Sequence, residues 1–348
     1  MKTFTAADER FMRRALALAE RGRATARPNP VVGAVVVRNG RIIAEGFHRR
    51  AGEPHAEVNA LAPLGGHAPG ATLYVTLEPC CHIGRTGPCT QAVLAAKLAR
   101  VVVGCGDPNP LVDGGGIRRL RRAGVRVDVG CLEHECRTAI RAYAIWVSEQ
   151  RPMVTLKAAA TLDGRIADGR RRTARAPAWI TGPAARRAAH ELRAEHDAVL
   201  VGAGTVLADN PHLTVRLPGR RAARPLRVVL AGRRRLPASA HVLDDSAPSL
   251  VIRGGRGRIP IRRVLAELAA ADVQSVLVEG GATVHGAFIA AGLVDRVALF
   301  VAPVLLGGGT PIAAGPGLSL GDALPLGPLA VRSVGADLLI TAEVRREA

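Results

Sequence analysis

Residues 73–90 read LYVTLEPCCHIGRTGPCT, and the order of their parts decides the fold. The apolar run Leu73–Leu77 has the length and β-branched content of a buried strand. It stops at Glu78-Pro79 and gives way to a loop bearing Cys80, Cys81 and His82. The loop closes at Cys89, where a helix starts at Thr90 and continues to about Ala99. Upstream, another helix begins near Pro54 and carries His55-Ala56-Glu57 in its first turn.

Working outward, the same alternation extends over the first half of the chain. A helix near 6–21 leads into the Pro28-Asn29-Pro30 turn and the strand Val31–Val37. Asn39-Gly40 is a hairpin signal before a second strand through Ile42 and Ile43. Past the quoted stretch come a strand at Val101–Gly104, a helix near 115–123 and a strand at Val125–Val129. This predicts an α/β sandwich around a mixed sheet. Arg151-Pro152 reads as a hinge. After it come strands at Met153–Lys157, Ala198–Val201, Leu226–Leu230, Ser249–Ile252, Ser275–Val278 and Val297–Val301, with a helix at about 183–194 and an Arg-rich loop at 168–176. A further helix, Ala282–Ala290, opens from Glu279-Gly280-Gly281. We expect two α/β domains, 1–148 and 152–348, each with its own sheet.

His55, Cys80 and Cys89 supply one imidazole and two thiolates, the three-ligand set of a catalytic zinc with one position open to water. Glu57, two residues from His55, can face that site without ligating the metal. A carboxylate there can take a proton from activated water and return it to a leaving amine. Helix starts at His55 and Cys89 favour negative charge. The arrangement follows the zinc deaminase signature H-x-E…P-C-x-x-C, with eight residues between the cysteines instead of two. The competing arrangement is a structural zinc site, in which Cys81 or His82 would complete four ligands. Cys105, Cys131 and Cys136 stand outside the motif as ordinary buried residues.

Composition narrows the partners. A net charge of +19 invites nucleic acid, but lysine occurs only at 2, 97 and 157, and the arginines are spread along the chain. Aromatic residues make up 3% of the chain, too few for a stacking channel. We expect phosphorylated small molecules and no specific nucleic-acid partner. Asp8, Glu9 and Glu20 interrupt any apolar targeting segment, and Thr5-x-x-Asp8 marks a capped helix start instead. No membrane span is expected, and a cytoplasmic location follows.

These residues resemble the bifunctional deaminase–reductase family of riboflavin biosynthesis. The resemblance rests on Pro28-Asn29-Pro30-x-Val32-Gly33, His48, His55-Ala56-Glu57, residues 77–90 and Asp107-Pro108-Asn109-Pro110. It implies a cytidine-deaminase-like α/β/α sandwich. In the family, zinc-bound hydroxide removes the 2-amino group of 2,5-diamino-6-(5-phosphoribosylamino)pyrimidin-4(3H)-one as ammonia. By resemblance Asn29, His48, His82 and Arg85 contact this substrate. An amide suits a pyrimidine edge, and imidazoles or a guanidinium suit a phosphate.

In the second half the resemblance continues through residues 157–165, 179–182, 204–216 and 278–281. It implies a dihydrofolate-reductase-like domain that uses NADPH to reduce the ribosyl group to ribityl. Ala159, Trp179, Thr205, Asp209 and Gly281, Ala282, Thr283, Val284, His285, Gly286 and Ala287 would line NADPH. Arg193, Leu213, Arg216 and Glu279 would meet the substrate, and Lys157 is a candidate proton donor. The chain departs from the family pattern at Cys81, Gly87, Gly115, Pro177, Ala231 and Gly232. The last three bear on cofactor or substrate, so a weakened reductase, or one redirected to a related pyrimidine, is the alternative. A nucleic-acid base deaminase is a further rival, and a homo-oligomer is implied.

Overall fold

The computed structural model describes residues 4–82, 87–169, 179–217, 224–255 and 258–345. Arg85, Pro177 and most of the basic loop expected at 168–176 lie outside these. The chain separates into two compact units, Met1–Gln150 and Arg151–Ala348.

The first unit opens with α1 (Ala6–Ala19). Its start is a capping box. Thr5 Oγ1 accepts the Asp8 N–H, and the Asp8 carboxylate accepts the Thr5 N–H, each at 3.1 Å. Strands β1 (Gly33–Arg38) and β2 (Arg41–Phe47) form a hairpin. Asn39 and Gly40 turn it at φ 51° and 73°, the left-handed pair that a tight hairpin needs. There follow α2 (Ala56–Leu61), β3 (Thr72–Leu77), α3 (Cys89–Ala95), β4 (Arg100–Cys105), α4 (Gly115–Arg122), β5 (Arg126–Val129), α5 (Glu133–Ala139) and α6 (Arg141–Glu149). The sheet order is β2-β1-β3-β4-β5. β1 runs antiparallel to β2 and β3, and β3, β4 and β5 are parallel. The sheet is therefore mixed, as the alternation predicts.

Two glycines show how helices cover both faces. A Cβ on Gly33 would meet the Ala15 carbonyl of α1 at 1.9 Å, and one on Gly46 would meet Ala60 N of α2 at 2.3 Å. Gly46 pairs with Ala34, the neighbour of Gly33. Because successive residues of a strand face opposite sides, α1 and α2 lie on opposite faces. The edge of this core holds a buried polar network. Asp8 accepts from Tyr74 Oη at 2.8 Å and from Arg100 Nη1 at 2.7 Å, while Arg100 Nε donates to Asp128 at 2.7 Å.

The second unit contains β6 (Met153–Thr161), β7 (Arg165–Ala167), α7 (Pro183–Glu195), β8 (Ala198–Gly202), α8 (Ala203–Asp209), β9 (Leu226–Gly232), β10 (Ser249–Arg253), α9 (Ile261–Ala270), β11 (Ser275–Val278), α10 (Ala282–Ala290), β12 (Arg296–Ala302), β13 (Thr310–Pro311), β14 (Ala330–Val334) and β15 (Asp337–Glu343). Its main sheet has the order β10-β9-β8-β11-β6-β12-β15-β14, and β7 pairs separately with β13. The first six strands of that order are parallel, β15 is antiparallel to β12, and β14 is antiparallel to β15. This is a second sheet and not an extension of the first. Parallel strands present their carboxyl ends along one edge, where ligands of such sheets bind. At its entry, Arg151 donates to both oxygens of Asp295 at 2.7 and 2.8 Å, and Asp295 also takes the Val154 N–H at 2.8 Å.

Among the described residues no helix is long and apolar enough to cross a membrane.

Candidate active sites

The first site forms where the starts of α2 and α3 meet the end of β3. His55 caps α2 in an extended conformation, and Cys89 is the first residue of α3. His55 Nδ1 lies 3.1 Å from Cys89 Sγ and 3.6 Å from Cys80 Sγ. The three ligand atoms all lie within 4.8 Å of one another, the only such donor cluster among the described residues. Neither Cys81 nor His82 joins it, which leaves the three-donor set of a catalytic metal and not the four-donor set of a structural one. The Cys81 sulfur instead packs against α4, 2.8 Å from where a Cβ on Gly115 would sit. The Cys89 N–H donates to Cys80 Sγ at 3.3 Å. Hydrogen bonds from the Cys89 thiol and from His55 hold the Cys80 thiol below its ordinary value, the direction that favours a thiolate ligand.

Glu57 points inward from the first turn of α2 and is 3% exposed. Burial pushes its carboxyl up to about 7. A group that titrates near neutrality can both accept and return a proton.

Asn29 and His48 stand together beside His55. The Asn29 amide lies 3.0 Å from His48 Nε2, and His48 Nδ1 lies 3.3 Å from the Pro54 carbonyl. The carbonyl can only accept, so Nδ1 carries the proton and Nε2 accepts from the amide. The His48 ring meets His55 edge-on, with 5.0 Å between centroids. Burial holds His48 below its usual range. A neutral ring with both nitrogens engaged orients the Asn29 amide beside it. His82 is half-buried, with Nδ1 unpaired among the described residues, and Arg85 lies outside them. A cleft of about 390 Å³ opens beside His55, lined by Pro54, Val58, Pro88, Gln91 and Ala92.

The second site lies at the carboxyl edge of the second sheet. Val278 pairs with both Leu200 and Leu156, which sets Glu279 level with Lys157. Arg193, on α7, donates to both oxygens of Glu279 at 2.6 and 2.8 Å and to the Thr214 carbonyl at 3.1 Å. Lys157 Nζ lies 3.6 Å from the same carboxylate. Burial alone would raise the Glu279 carboxyl, but Arg193 and Lys157 outweigh it and hold it well below the carboxylate range. His190, which no sequence motif marks, also belongs here. Its Nδ1 lies 3.4 Å from the Arg216 amide, and burial followed by the charges of Arg193 and Arg216 depresses it to about 4. Leu213 has φ 54° and is buried as a whole residue, 2% exposed. Arg216 is exposed.

Of the residues expected at NADPH, Thr205 lies on α8 and Gly281–Ala287 at the start of α10. Gly281 caps α10 at φ 67°, and a Cβ there would lie 3.3 Å from Thr205 Oγ1. In the first turn of α10 the Val284 and His285 amides donate to the Gly281 carbonyl at 3.0 and 3.1 Å, which leaves those of Ala282 and Thr283 for a cofactor phosphate. Ala282 and His285 are buried, Thr283 is exposed, and Val284 and Ala287 lie between. His285 Nδ1 donates to the Ile312 carbonyl at 2.8 Å, and the Ala314 carbonyl occupies the space beside Gly286, 2.1 Å from where a Cβ would sit. These two positions thus hold segment 312–314 in place. Ala159 is half-buried on β6, Asp209 is exposed at the end of α8, and Trp179 is 60% exposed with the Arg186 guanidinium 4.8 Å from its ring. At the end of β9, Ala231 is buried and Gly232 sits at φ 55°, so the departures there put no polar side chain at this edge.

Comparison with known proteins accounts for both halves. Residues 5–105 match the cytidine and deoxycytidylate deaminase zinc-binding region, and residues 152–340 match the RibD C-terminal domain. The chain is 40% identical to the riboflavin biosynthesis protein RibD of Aquifex aeolicus, over 96% of this chain and 97% of that one. It is 39% identical to the Escherichia coli RibD, over 96% and 98%. Among solved structures it resembles a diaminohydroxyphosphoribosylaminopyrimidine deaminase/5-amino-6-(5-phosphoribosylamino)uracil reductase from Thermotoga maritima, at TM-score 0.87 and 38% identity over 97% and 99% of the two chains. The cytidine-deaminase-like and dihydrofolate-reductase-like folds expected from the motifs both hold. With matches along almost its full length in both units, the chain belongs to the RibD family of riboflavin biosynthesis proteins.

Proposed function

We propose that this chain carries out two successive steps of riboflavin biosynthesis on a small phosphorylated pyrimidine. The first is hydrolytic deamination of 2,5-diamino-6-(5-phosphoribosylamino)pyrimidin-4(3H)-one, and the second is reduction of its ribosyl group to ribityl. The observation that carries this reading is the three-donor cluster of His55, Cys80 and Cys89 beside a buried Glu57, in a chain whose other half is a RibD reductase domain. A nucleic-acid base deaminase would leave that second unit without a purpose.

His55, Cys80 and Cys89 fit zinc by donor type and number and would hold it. Zinc, when bound, supplies a Lewis acid that makes water nucleophilic near neutral pH. Glu57 takes a proton from the water that attacks the ring carbon and delivers one to the departing amine, so water and the amino group are exchanged for a ring carbonyl and ammonia. His48 holds the Asn29 amide toward the pyrimidine edge, and His82 and Arg85 are assigned to the substrate phosphate.

The second unit fits NADPH at the first turn of α10 with Thr205 beside it, and Ala159, Trp179 and Asp209 complete the assigned lining. NADPH, when bound, supplies the hydride. Lys157 places its ammonium beside Glu279, where it can donate a proton to the opened ribose oxygen. Arg193, Leu213 and Arg216 are assigned to the substrate. None of the six cysteines is in a disulfide, which suits the cytoplasm. A homo-oligomer is the expected assembly, to be checked by light scattering.

The test is to supply the diamino substrate and NADPH to zinc-loaded protein, following ammonia release and NADPH oxidation separately. Both signals are expected, with ammonia lost in Glu57→Ala. Ammonia without NADPH oxidation would mean that Pro177, Ala231 and Gly232 have cost the second activity. Neither signal from folded, zinc-loaded protein would overturn the assignment.

A further inference from the structure

Glu78 is 3% exposed. Its carboxylate accepts from backbone amides: Oε2 from Gly114 at 3.1 Å and Asp107 at 3.4 Å, and Oε1 from Ile117 at 3.0 Å. A buried carboxylate has to be compensated, and here the compensation comes from the loop after β4 and the start of α4. That choice of partner matters because of where Glu78 stands in the chain, two residues before Cys80.

The start of α4 holds this segment at three points. Besides the Glu78 carboxylate, it meets the Pro79 carbonyl, which would lie 1.9 Å from a Cβ on Gly116, and the Cys81 sulfur, 2.8 Å from a Cβ on Gly115. Position 116 has to be glycine for the Pro79 backbone to come this close, whereas at 115 the atom met is the end of the Cys81 side chain. With 78, 79 and 81 fixed to α4, Cys80 turns the other way. Its carbonyl accepts the Thr90 N–H at 3.2 Å and its sulfur accepts the Cys89 N–H at 3.3 Å.

We propose that Glu78 is a positioning residue for the metal site, resting on the zinc assignment above. Its carboxylate locks residues 78–81 onto α4 and thereby sets the Cys80 sulfur between His55 and Cys89. It touches neither metal nor substrate and takes no part in proton transfer. Groups that orient metal ligands from behind typically change metal affinity 10- to 100-fold when replaced.

The experiment uses the full chain as Glu78→Gln, which keeps the shape of the side chain but turns one acceptor into a donor facing an N–H. Zinc affinity is measured by chelator competition, and the cobalt-loaded protein is examined for its thiolate-to-cobalt charge-transfer bands. Asp8→Asn, which weakens the same unit away from the metal, is the control. We expect zinc affinity to fall about tenfold or more in Glu78→Gln, with altered cobalt bands, and both to stay parental in Asp8→Asn. Glu78→Asp, which keeps the charge and shortens its reach, should shift in the same direction by less. Parental affinity and bands in both Glu78 variants would overturn the proposal, as would an equal loss in Asp8→Asn. If the parent protein itself fails to bind zinc, the zinc assignment falls, which is a different result.

Discussion

Arg193 and Glu279 face each other side-on, joined by two hydrogen bonds of 2.6 and 2.8 Å, and both are largely withdrawn from water. Removing one partner of such a pair strands the other charge. Glu279→Leu is expected to destabilise the second unit by about 3–5 kcal/mol in urea unfolding. The double replacement Arg193→Met with Glu279→Leu should recover only part of that stability, because Lys157 loses the same carboxylate, while reductase activity stays lost. Full recovery of activity in the double variant would show that the pair is structural only.

Lys157 touches the same carboxylate at a longer 3.6 Å. If it donates the proton that accompanies hydride transfer, Lys157→Ala should slow NADPH oxidation on the order of 10²- to 10⁴-fold and leave ammonia release unchanged. Turnover near the parental rate would remove Lys157 from the chemistry.

The metal ligands and the cofactor cradle belong to separate units. Stripping zinc with a chelator should abolish ammonia release from the diamino substrate. NADPH oxidation should persist when the deaminated intermediate is supplied directly. Simultaneous loss of both would contradict independent sites.

Acid should affect the first unit through Asp8. Burial would raise its carboxyl, but the hydrogen bonds from Arg100, Tyr74 and Thr5 prevail and hold it below the ordinary 3.8. A carboxylate depressed by folding contributes its full stabilisation above that ordinary value and loses it as pH falls through the folded value. Circular dichroism on acid titration should therefore show unfolding beginning below about pH 4. Asp8→Asn should cost about 2 kcal/mol at neutral pH and flatten the acid limb. An unchanged acid limb would shift the responsibility to other carboxylates.

Local pattern carried far in this chain. The helix expected at 282–290 is found with those limits, since Gly281 caps it and the apolar run defines its length. β6 runs on to Thr161, four residues beyond the expected end at Lys157, because small Ala158–Ala160 give little strand signal and are held there by pairing with β12. α9 went unmarked although Ile261, Val264, Leu265 and Leu268 form its buried stripe. The metal donors were legible because ligand chemistry restricts residue type and spacing. The contacts of Glu78 with Asp107, Gly114 and Ile117 were not, since they span 29 to 39 positions and depend on how β4 and α4 return to the end of β3. His190 was hidden for the same reason, its neighbours Arg216 and Glu279 being brought in by the loop before β9 and the end of β11.

The place of β6 has a consequence for the order in which the protein can assemble during synthesis. In the first sheet each strand lies beside one made shortly before or after it, so pairing can proceed as the chain emerges from the ribosome. β6 is the first strand of the second sheet to be translated, yet its two neighbours are β11 and β12. It has no strand to pair with in that sheet until residues 275–302 exist. For more than a hundred residues of elongation its apolar segment is left waiting, and that interval is when the nascent second unit is most open to capture by chaperones or to aggregation.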